Sequence, residues 1–502
     1  MENLYETLAD DLDAFVEKSL QPDGEWKWEV QDAWNRCAKF LKDHCFQNEL
    51  VANQEVQVLK VVKAGSSGKG TTLNHTSDVD MVLFLSCFRS FQEQADLRED
   101  IIDFITEKVD HCSQSLAYNL TVVQHRWGSR APRSLAIQVQ AKKNSDVIKV
   151  DVLPAFDVLE NAPPDSRPPQ EVYQKLITCD HLPGEFSPSF VVLQRHFVKS
   201  RPVKLKNLLR LVKHWWYQQH LRYKYQKVAL PPKYALELLT IYAWEMGTDE
   251  SESFDLANGF RTVMKLLKEY SNICIYWTKY YNFENEVVNV FLRQQLKAKR
   301  PVILDPTDPT NNVGSGKRWD VMAKEADYCL RQACCRSVQG WNVQAARDVS
   351  VKVKVSGEAA QTFLVDPYRP IWKMKREIRE RWGLDGQLRL SFQEPGGERK
   401  SLSNSRTLAY HGLFAKVSIS VLEAQPGQIQ VFVKHPGGLT KPYAVSPEDS
   451  IYDLKEKISL AGGPPEKEQI LKFPGHKVWN SSVLADLDVR DGDTLTLLRK
   501  SD

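Results

Sequence analysis

The sequence has no uninterrupted apolar run of about 18 residues, the length a membrane-spanning helix needs. Its first residues, MENLYETLADDLDAF, are acidic and amphipathic. They lack the basic-then-apolar pattern of a secretory signal. No CxxC pair occurs, and the nine cysteines are odd in number and scattered. Cys329, Cys334 and Cys335 lie close together but have no His at ligand spacing. These absences argue against a disulfide framework and against a zinc knuckle. Reduced thiols in a cytoplasmic protein, with the nucleus also open to it, are the expectation. Low complexity is missing too: 42% of residues are hydrophobic and 26% charged, which excludes a disordered or collagen-like chain. At 502 residues, three or four domains are expected.

Acidic residues are missing from one place in particular. Residues 193–227, LQRHFVKSRPVKLKNLLRLVKHWWYQQHLRYKYQK, hold ten Lys/Arg and no Asp/Glu, although the whole chain carries only +3. A concentrated basic surface on a nearly neutral body points to a polyanion partner.

Periodicity divides the chain near residue 348. Before it the pattern is mixed. Helices are expected at about 3–20 and 28–46, and strands at 55–63 and 78–85 with a Gly-Ser loop between them. A helix over 92–112 and strands at 118–124, 134–141 and 146–153 follow. The Pro-rich segment NAPPDSRPP (161–169) then leads into a helical stretch at 170–177, 187–200, 204–221, 232–246, 257–269 and 320–335. A β-rich lobe joined to a helical lobe leaves a cleft. After 348, VSVKVKV and IQVFVK alternate as half-buried strands do, and each opens a unit read as ββαβ. Ser450 is a candidate N-cap for the second unit's helix, and AQPGQ (424–428) separates the two units. The class is α+β. The divisions are 1–165, a β-rich lobe; 166–348, a helical lobe; 349–426; and 427–502.

The chemistry concentrates in GSSGKGTTLNHTSDVDMVLFL (65–85) and VIKVDVLPAFDVL (147–159). Asp78 and Asp80 are two apart at the start of an apolar strand, so period 2 gives them one face. Asp151 sits in a second alternating strand. A D-x-D pair alone is usually a solvated strand end. The nearby Gly-Ser loop and an aspartate inside an apolar strand tip the balance. Three converging carboxylates repel one another unless cations are present. Two Mg²⁺ ions about 3.5–4 Å apart can neutralise them and hold the oxygens of a phosphoryl transfer. Asp157, beside a turn, is the weaker candidate. The loop is not a Walker A motif, because Lys69 stands between Gly68 and Gly70.

A Gly-Ser pair, an interval, an alternating D-x-D and a later single Asp resemble the nucleotidyltransferase fold of the DNA polymerase β-like superfamily. More specifically, KAGSSGKGTTL, SDVDMVLFLSCF, DVLPAFDVL, LLRLVKHWW and PPKYALELLTIYAWE resemble the 2′-5′-oligoadenylate synthetases, over about 1–345. IQVFVK, SIYDLKEKI, GGPPEKEQILKFPG and DGDTLTLLRK are similar to ubiquitin over 429–500, and 349–424 looks like a more diverged copy. The resemblance implies a polymerase β-like lobe, a helical lobe and two tandem ubiquitin-like β-grasp domains. It implies an enzyme that is activated by double-stranded RNA and polymerises ATP into 2′-5′-linked oligoadenylates, in interferon-induced innate antiviral defence. By motif position, Asp78, Asp80 and Asp151 would be catalytic and hold two Mg²⁺. Ser66, Lys69, Arg210, Lys213 and Lys233 would lie near ATP, with Lys233 standing where the family has Gln. Lys42, Lys63, Arg195, Lys199 and Lys204 fall where the family contacts RNA. Duplex RNA presents phosphates and 2′-hydroxyls at regular spacing, which suits spaced Lys/Arg.

The chain ends RKSD without Gly-Gly, so conjugation in the manner of ubiquitin is not expected. The tail is expected to dock signalling proteins instead, through a surface that includes Lys472 and Leu498. Cys334-Cys335-Arg336 stands where some synthetases carry a Cys-Phe-Lys oligomerisation motif, and the mismatch predicts a monomer. Two rival readings stay open: a catalytically silent RNA-binding adaptor, and a cyclic-dinucleotide synthase of the same superfamily. DNA-sensing members of the latter carry a His/Cys zinc insertion that this sequence lacks.

Overall fold

The computed structural model describes residues 3–74, 76, 79–112, 118–123, 133–141, 147–220, 225–394 and 396–500. The candidate Asp78 lies outside the described residues. The chain forms two compact units, Met1–Ala345 and Ala346–Asp502. No helix among the described residues is long and apolar enough to cross a membrane.

In the first unit, helix α1 (Gly24–Asp43) begins where the Asp23 carboxylate accepts a hydrogen bond from Trp26 N at 2.7 Å, a side-chain N-cap. Strand β1 (Val58–Ala64) runs into the Gly-Ser segment, which is a one-turn helix, α2 (Gly65–Lys69), where the sequence suggested a loop. Then come β2 (Val79–Leu85), α3 (Phe91–Cys112), β3 (Tyr118–Val123), β4 (Leu135–Ala141) and β5 (Val147–Ala155). The five strands form one sheet in the order β1-β2-β5-β4-β3, with β2 and β5 parallel and the other pairs antiparallel.

Period-2 alternation gives this sheet two working faces. Val79, Met81, Leu83 and Leu85 of β2 join Ile148, Val150 and Val152 of β5 in a core with Val30 of α1 and Ile101 and Ile105 of α3. Val82, Phe84 and Ala155 point the other way and pack with Val62, Ala64 and Val191. Asp80 shares this second parity and so faces the helical lobe.

That lobe contains α4 (Gln170–Thr178), α5 (Val191–Lys199), α6 (Val203–His220), α7 (Lys233–Thr248), α8 (Leu256–Lys268), α9 (Glu286–Leu296) and α10 (Trp319–Leu330). Helix α9 was not expected from the sequence. The helix read at 3–20 is broken, with regular α-helix only over Leu12–Phe15. The one read to 335 stops at Leu330 and gives way to turns. Helix α7 is buried continuously from Ala235 to Trp244, as a helix apolar on nearly all sides must be.

The second unit contains two β-grasp domains. The first is β6 (Val349–Val355), β7 (Gln361–Val365), α11 (Ile371–Trp382), β8 (Gln387–Gln393), β9 (Arg399–Ser401) and β10 (Val417–Ala424). The second is β11 (Ile429–Lys434), β12 (Thr440–Val445), α12 (Ile451–Leu460), β13 (Gln469–Lys472) and β14 (Thr494–Arg499). Both exceed the ββαβ pattern expected, by two strands and by one. In each, the first strand pairs in parallel with the last. Ser450 caps α12 through a capping box: its Oγ accepts from Asp453 N, and the Asp453 carboxylate accepts from Ser450 N at 2.7 Å.

The two β-grasp domains also pack on each other. Val431 and Val433 of β11 enter the second domain's own core. The alternate residues Gln430 and Phe432 are nevertheless only 2% and 1% exposed. Gln430 Nε2 donates to Ser401 Oγ at 3.0 Å, Arg399 Nε to the Thr440 carbonyl at 2.6 Å, and Thr440 N to Gln393 Oε1 at 3.0 Å. An Arg389–Asp491 ion pair at 3.0 Å lies beside them.

Candidate active site and nucleic-acid interface

Strands β2 and β5 pair in register Val79↔Val150, Asp80↔Asp151 and Met81↔Val152. Laterally paired residues project to the same side of a sheet, so Asp80 and Asp151 are side by side on the face turned to the helical lobe. On its other side Asp80 pairs with Ala64, the residue before α2. A methyl side chain there keeps that flank low. Asp80 also lines a 290 Å³ cavity with Ala64, Val82, Leu153, Arg98, Ser187 and Gln194 among its walls. Asp157, by contrast, is held by Lys60 at 2.8 Å, a structural ion pair at the strand end.

Helix α2 rises from Ala64 towards α6. Gly70 ends it in the left-handed conformation, φ +77°. Gly68 has no room for a side chain: an added Cβ would sit 2.4 Å from the Lys63 carbonyl oxygen. Ser66 is buried, and its Oγ accepts a hydrogen bond from Lys213 Nζ at 2.9 Å. Lys213 Nζ also donates to Thr71 Oγ1 at 3.0 Å. One turn earlier, Arg210 donates to the carbonyls of Gly70 and Thr72 at 2.8 and 3.1 Å. The i, i+3 spacing of Arg210 and Lys213 on α6 puts both cations over the same segment. Ser66, Arg210 and Lys213 are thus brought together.

Lys69 and Lys233 have other partners. The buried Lys69 ammonium lies 2.6 Å from Glu237 Oε1 and 4.5 Å from the Tyr234 ring centroid. Glu237 was not singled out from the sequence. The signal was an acid inside the apolar run YALELL, which requires a buried partner. Lys233, the first residue of α7, donates to Tyr217 Oη at 2.6 Å and lies 4.7 Å from that ring's centroid.

Also unanticipated is the buried turn LDPTDPTNN behind the cavity wall. Asp305 accepts from the Thr307 amide and hydroxyl, and from Gln194 Nε2 at 3.3 Å. Asp308 accepts from Ser187 Oγ at 2.6 Å and from Thr310. Gln194 and Ser187 both line the cavity. The two aspartates therefore set its wall through intermediaries. Burial, then the nearby Asp305 charge, pushes the Asp308 carboxyl up to about 6.

The basic residues expected at RNA converge in part. Lys63 Nζ donates to Gln31 on α1 at 2.7 Å, and Arg195 on α5 donates to the Lys63 carbonyl at 3.2 Å. Lys42 is exposed on α1, eleven residues from Gln31, which is three helical turns and nearly the same face. Lys199 is exposed at the end of α5, and its carbonyl accepts from Lys206 Nζ at 2.7 Å. Lys204 is half-exposed, 3.8 Å from Asp13. The Lys63 carbonyl is the atom that both Arg195 grips and Gly68 packs against. The basic face and the turn bearing Ser66 are therefore mechanically adjacent.

Comparison with known proteins agrees with this architecture. Residues 166–352 match the family model described as 2′-5′-oligoadenylate synthetase 1, domain 2, C-terminus. Residues 431–502 match the ubiquitin family. The chain is 57% identical to 2′-5′-oligoadenylate synthase-like protein 2 of Mus musculus, over 100% of this chain and 99% of that one. The chain belongs to the 2′-5′-oligoadenylate synthase family. It is also 44% identical to 2′-5′-oligoadenylate synthase-like protein 1 of Rattus norvegicus, over 99% of this chain and 97% of that one. To 2′-5′-oligoadenylate synthase 1A of Mus musculus it is 44% identical, over 70% of this chain and 95% of the relative. A nucleotidyltransferase module with a ubiquitin-like tail is thus what this family membership gives. In that tail, Ile470 pairs with Leu498 and Lys472 with Thr496, so Lys472 and the 38% exposed Leu498 belong to one sheet face.

Proposed function

We propose that this chain is a double-stranded-RNA-activated nucleotidyltransferase that joins ATP into 2′-5′-linked oligoadenylates in antiviral defence. The observation that carries the reading is the in-register pairing of Asp80 with Asp151 beside a cavity large enough for part of a nucleotide. Two adjacent carboxylates are hard oxygen donors and fit Mg²⁺, and Asp78 is the third member by sequence. When bound, such ions offset the charge of a triphosphate and of its leaving pyrophosphate. Ser66, Lys213 and Arg210 are the groups of this chain suited to hold phosphates, because two cations and a hydroxyl converge on one turn. Lys233 and Lys69 are assigned to the ATP side by motif position. The 2′ linkage rests on the activity named in the relatives.

RNA is assigned to Lys42, Lys63, Arg195, Lys199 and Lys204. Its effect on activity would pass through the Lys63 carbonyl to α2. The protein acts in this reading as a cytoplasmic monomer. Signalling proteins dock on the tail through the Lys472–Leu498 face.

A second reading, a silent RNA-binding adaptor, draws support from Lys69 and Lys233. The first is neutralised by Glu237, and the second is tied to Tyr217. One assay separates the two: purified full-length protein with Mg²⁺ and ATP, with and without duplex RNA, the products tested for resistance to a 3′-5′-specific nuclease. RNA-dependent resistant oligomers establish the synthase. Their absence, with RNA binding intact, establishes the adaptor.

A further inference from the structure

The three cysteines that the sequence left without a role come together at the end of α10. Cys329 lies in the last turn of that helix, and Cys334 and Cys335 lie in the turn that follows. All three are 0% exposed. Their sulfurs lie within 4.8 Å of one another, and Cys329 and Cys334 Sγ are 4.0 Å apart. It is the one such group of metal-ligating side chains among the described residues. The turn is well held: Gln332 N donates to the Cys329 carbonyl, Cys335 N to the Gln332 carbonyl, and Ala333 N to the carbonyl of Tyr5 in the N-terminal segment. Arg261, from α8, donates to the carbonyls of Cys335 and Leu330 at 2.7 and 3.3 Å. A fixed positive charge therefore stands beside the sulfurs.

We propose that Cys329, Cys334 and Cys335 form a tri-thiolate site for a zinc ion. The first argument is distance. A zinc–sulfur bond is about 2.3 Å, so three sulfurs around one ion lie about 3.8–4.0 Å apart. The Cys329–Cys334 separation already has that value, and the third sulfur needs to close by less than an ångström. The second is ligand type: thiolates select zinc or copper(I) over magnesium and calcium.

The third is charge. Zn²⁺ entry into three thiols breaks three S–H bonds, forms three Zn–S bonds and releases three protons, which leaves a net charge of −1. Arg261, which donates to the Cys335 carbonyl, lies beside that charge. Copper(I) would leave −2 and is disfavoured on that count. The site staples the segment after α10 to the helix itself. It was not legible in the sequence because the C-x4-C-C spacing has no His or fourth Cys to mark it.

The test uses full-length protein expressed in zinc-supplemented medium and kept reduced. Native mass spectrometry and elemental analysis should find one zinc per chain. Replacement by Co²⁺ should give thiolate-to-cobalt charge-transfer absorption. Cys334→Ser/Cys335→Ser should lose the metal and the absorption, whereas Cys274→Ser, another buried cysteine, should keep both. If the double variant does not fold, the wild-type cobalt spectrum decides. Its lack of charge-transfer bands overturns the site. So does zinc retained by a folded double variant.

Discussion

Asp80 is the residue on which the catalytic reading turns. Asp80→Ala removes a carboxylate at a cavity edge and leaves the sheet's apolar face untouched. Nucleotidyl transfer should fall at least about 100-fold, within the several kcal/mol that metal-assisted charge stabilisation supplies. Thermal stability and RNA affinity should change little. Wild-type product formation by the variant would remove Asp80 from the chemistry. Asp308 makes a different prediction at the same scale. Its native carboxyl titrates near 6, above an unfolded aspartate near 3.9. The native state therefore holds the extra proton between these values, and stability from this group is lost as pH rises through about 6. Wild type should gain on the order of 1 kcal/mol relative to Asp308→Asn when pH falls from 7.5 to 5. Melting temperatures of the pair across that range give the measurement; a constant gap would show that Asp308 does not titrate there.

At the scale of elements, α2 is the junction between the phosphate side and the basic face. Gly68→Ala places a methyl group against a backbone carbonyl that Arg195 also holds. Relief requires α2 or β1 to move, at a cost of about 1–3 kcal/mol. We expect lower thermal stability and a larger loss of RNA-stimulated than of basal turnover. An equal loss of both would place the turn outside the activation route. On the basic face, Arg195→Glu with Lys199→Glu should weaken duplex RNA binding. It should also make the dependence of affinity on salt shallower by about 0.9 for each phosphate that is no longer neutralised. Titrations at several salt concentrations read this directly, and an unchanged slope would move the RNA site elsewhere.

For the molecule as a whole, the division at Ala345–Ala346 predicts that 1–348 folds alone and retains any RNA-stimulated ATP polymerisation of the full chain. Comparing the two proteins side by side checks it; an inert, folded fragment beside an active full chain would mean that the modules are coupled. The tail makes the complementary case. Gln430 and Phe432 of β11 are covered although neither faces its own domain's core. The fragment 346–502 should therefore unfold in one transition. Phe432→Ala, which removes a buried ring from the side of β11 opposite its own domain's core, should separate it into two. Two transitions in the unaltered fragment would show that the domains are independent. Lys472 and Leu498 lie on the same sheet face as Phe432 but on β13 and β14, away from β11, and make none of that interface's hydrogen bonds.

The apolar run VDMVLFL and the alternation in VIKVDVLPA were enough to mark two strands and to set Asp80 and Asp151 within them, because side-chain direction in a strand follows from sequence position alone. Motif likeness added the family, and the cap at Ser450 was readable because capping is local chemistry. What strand pairing, helix packing and domain docking decide was not readable. Register alone makes Asp80 and Asp151 neighbours across 71 positions of chain. Packing of α7 onto α2 gives Lys69 its partner Glu237, which leaves this cation engaged where the motif suggested one near ATP. The turn after α10 gathers three sulfurs that their spacing in the chain offered no reason to join. A sequence states which groups are charged or apolar and which face of an element they occupy. Which of those faces meet depends on burying apolar area across the whole chain, and that sum has no local signature.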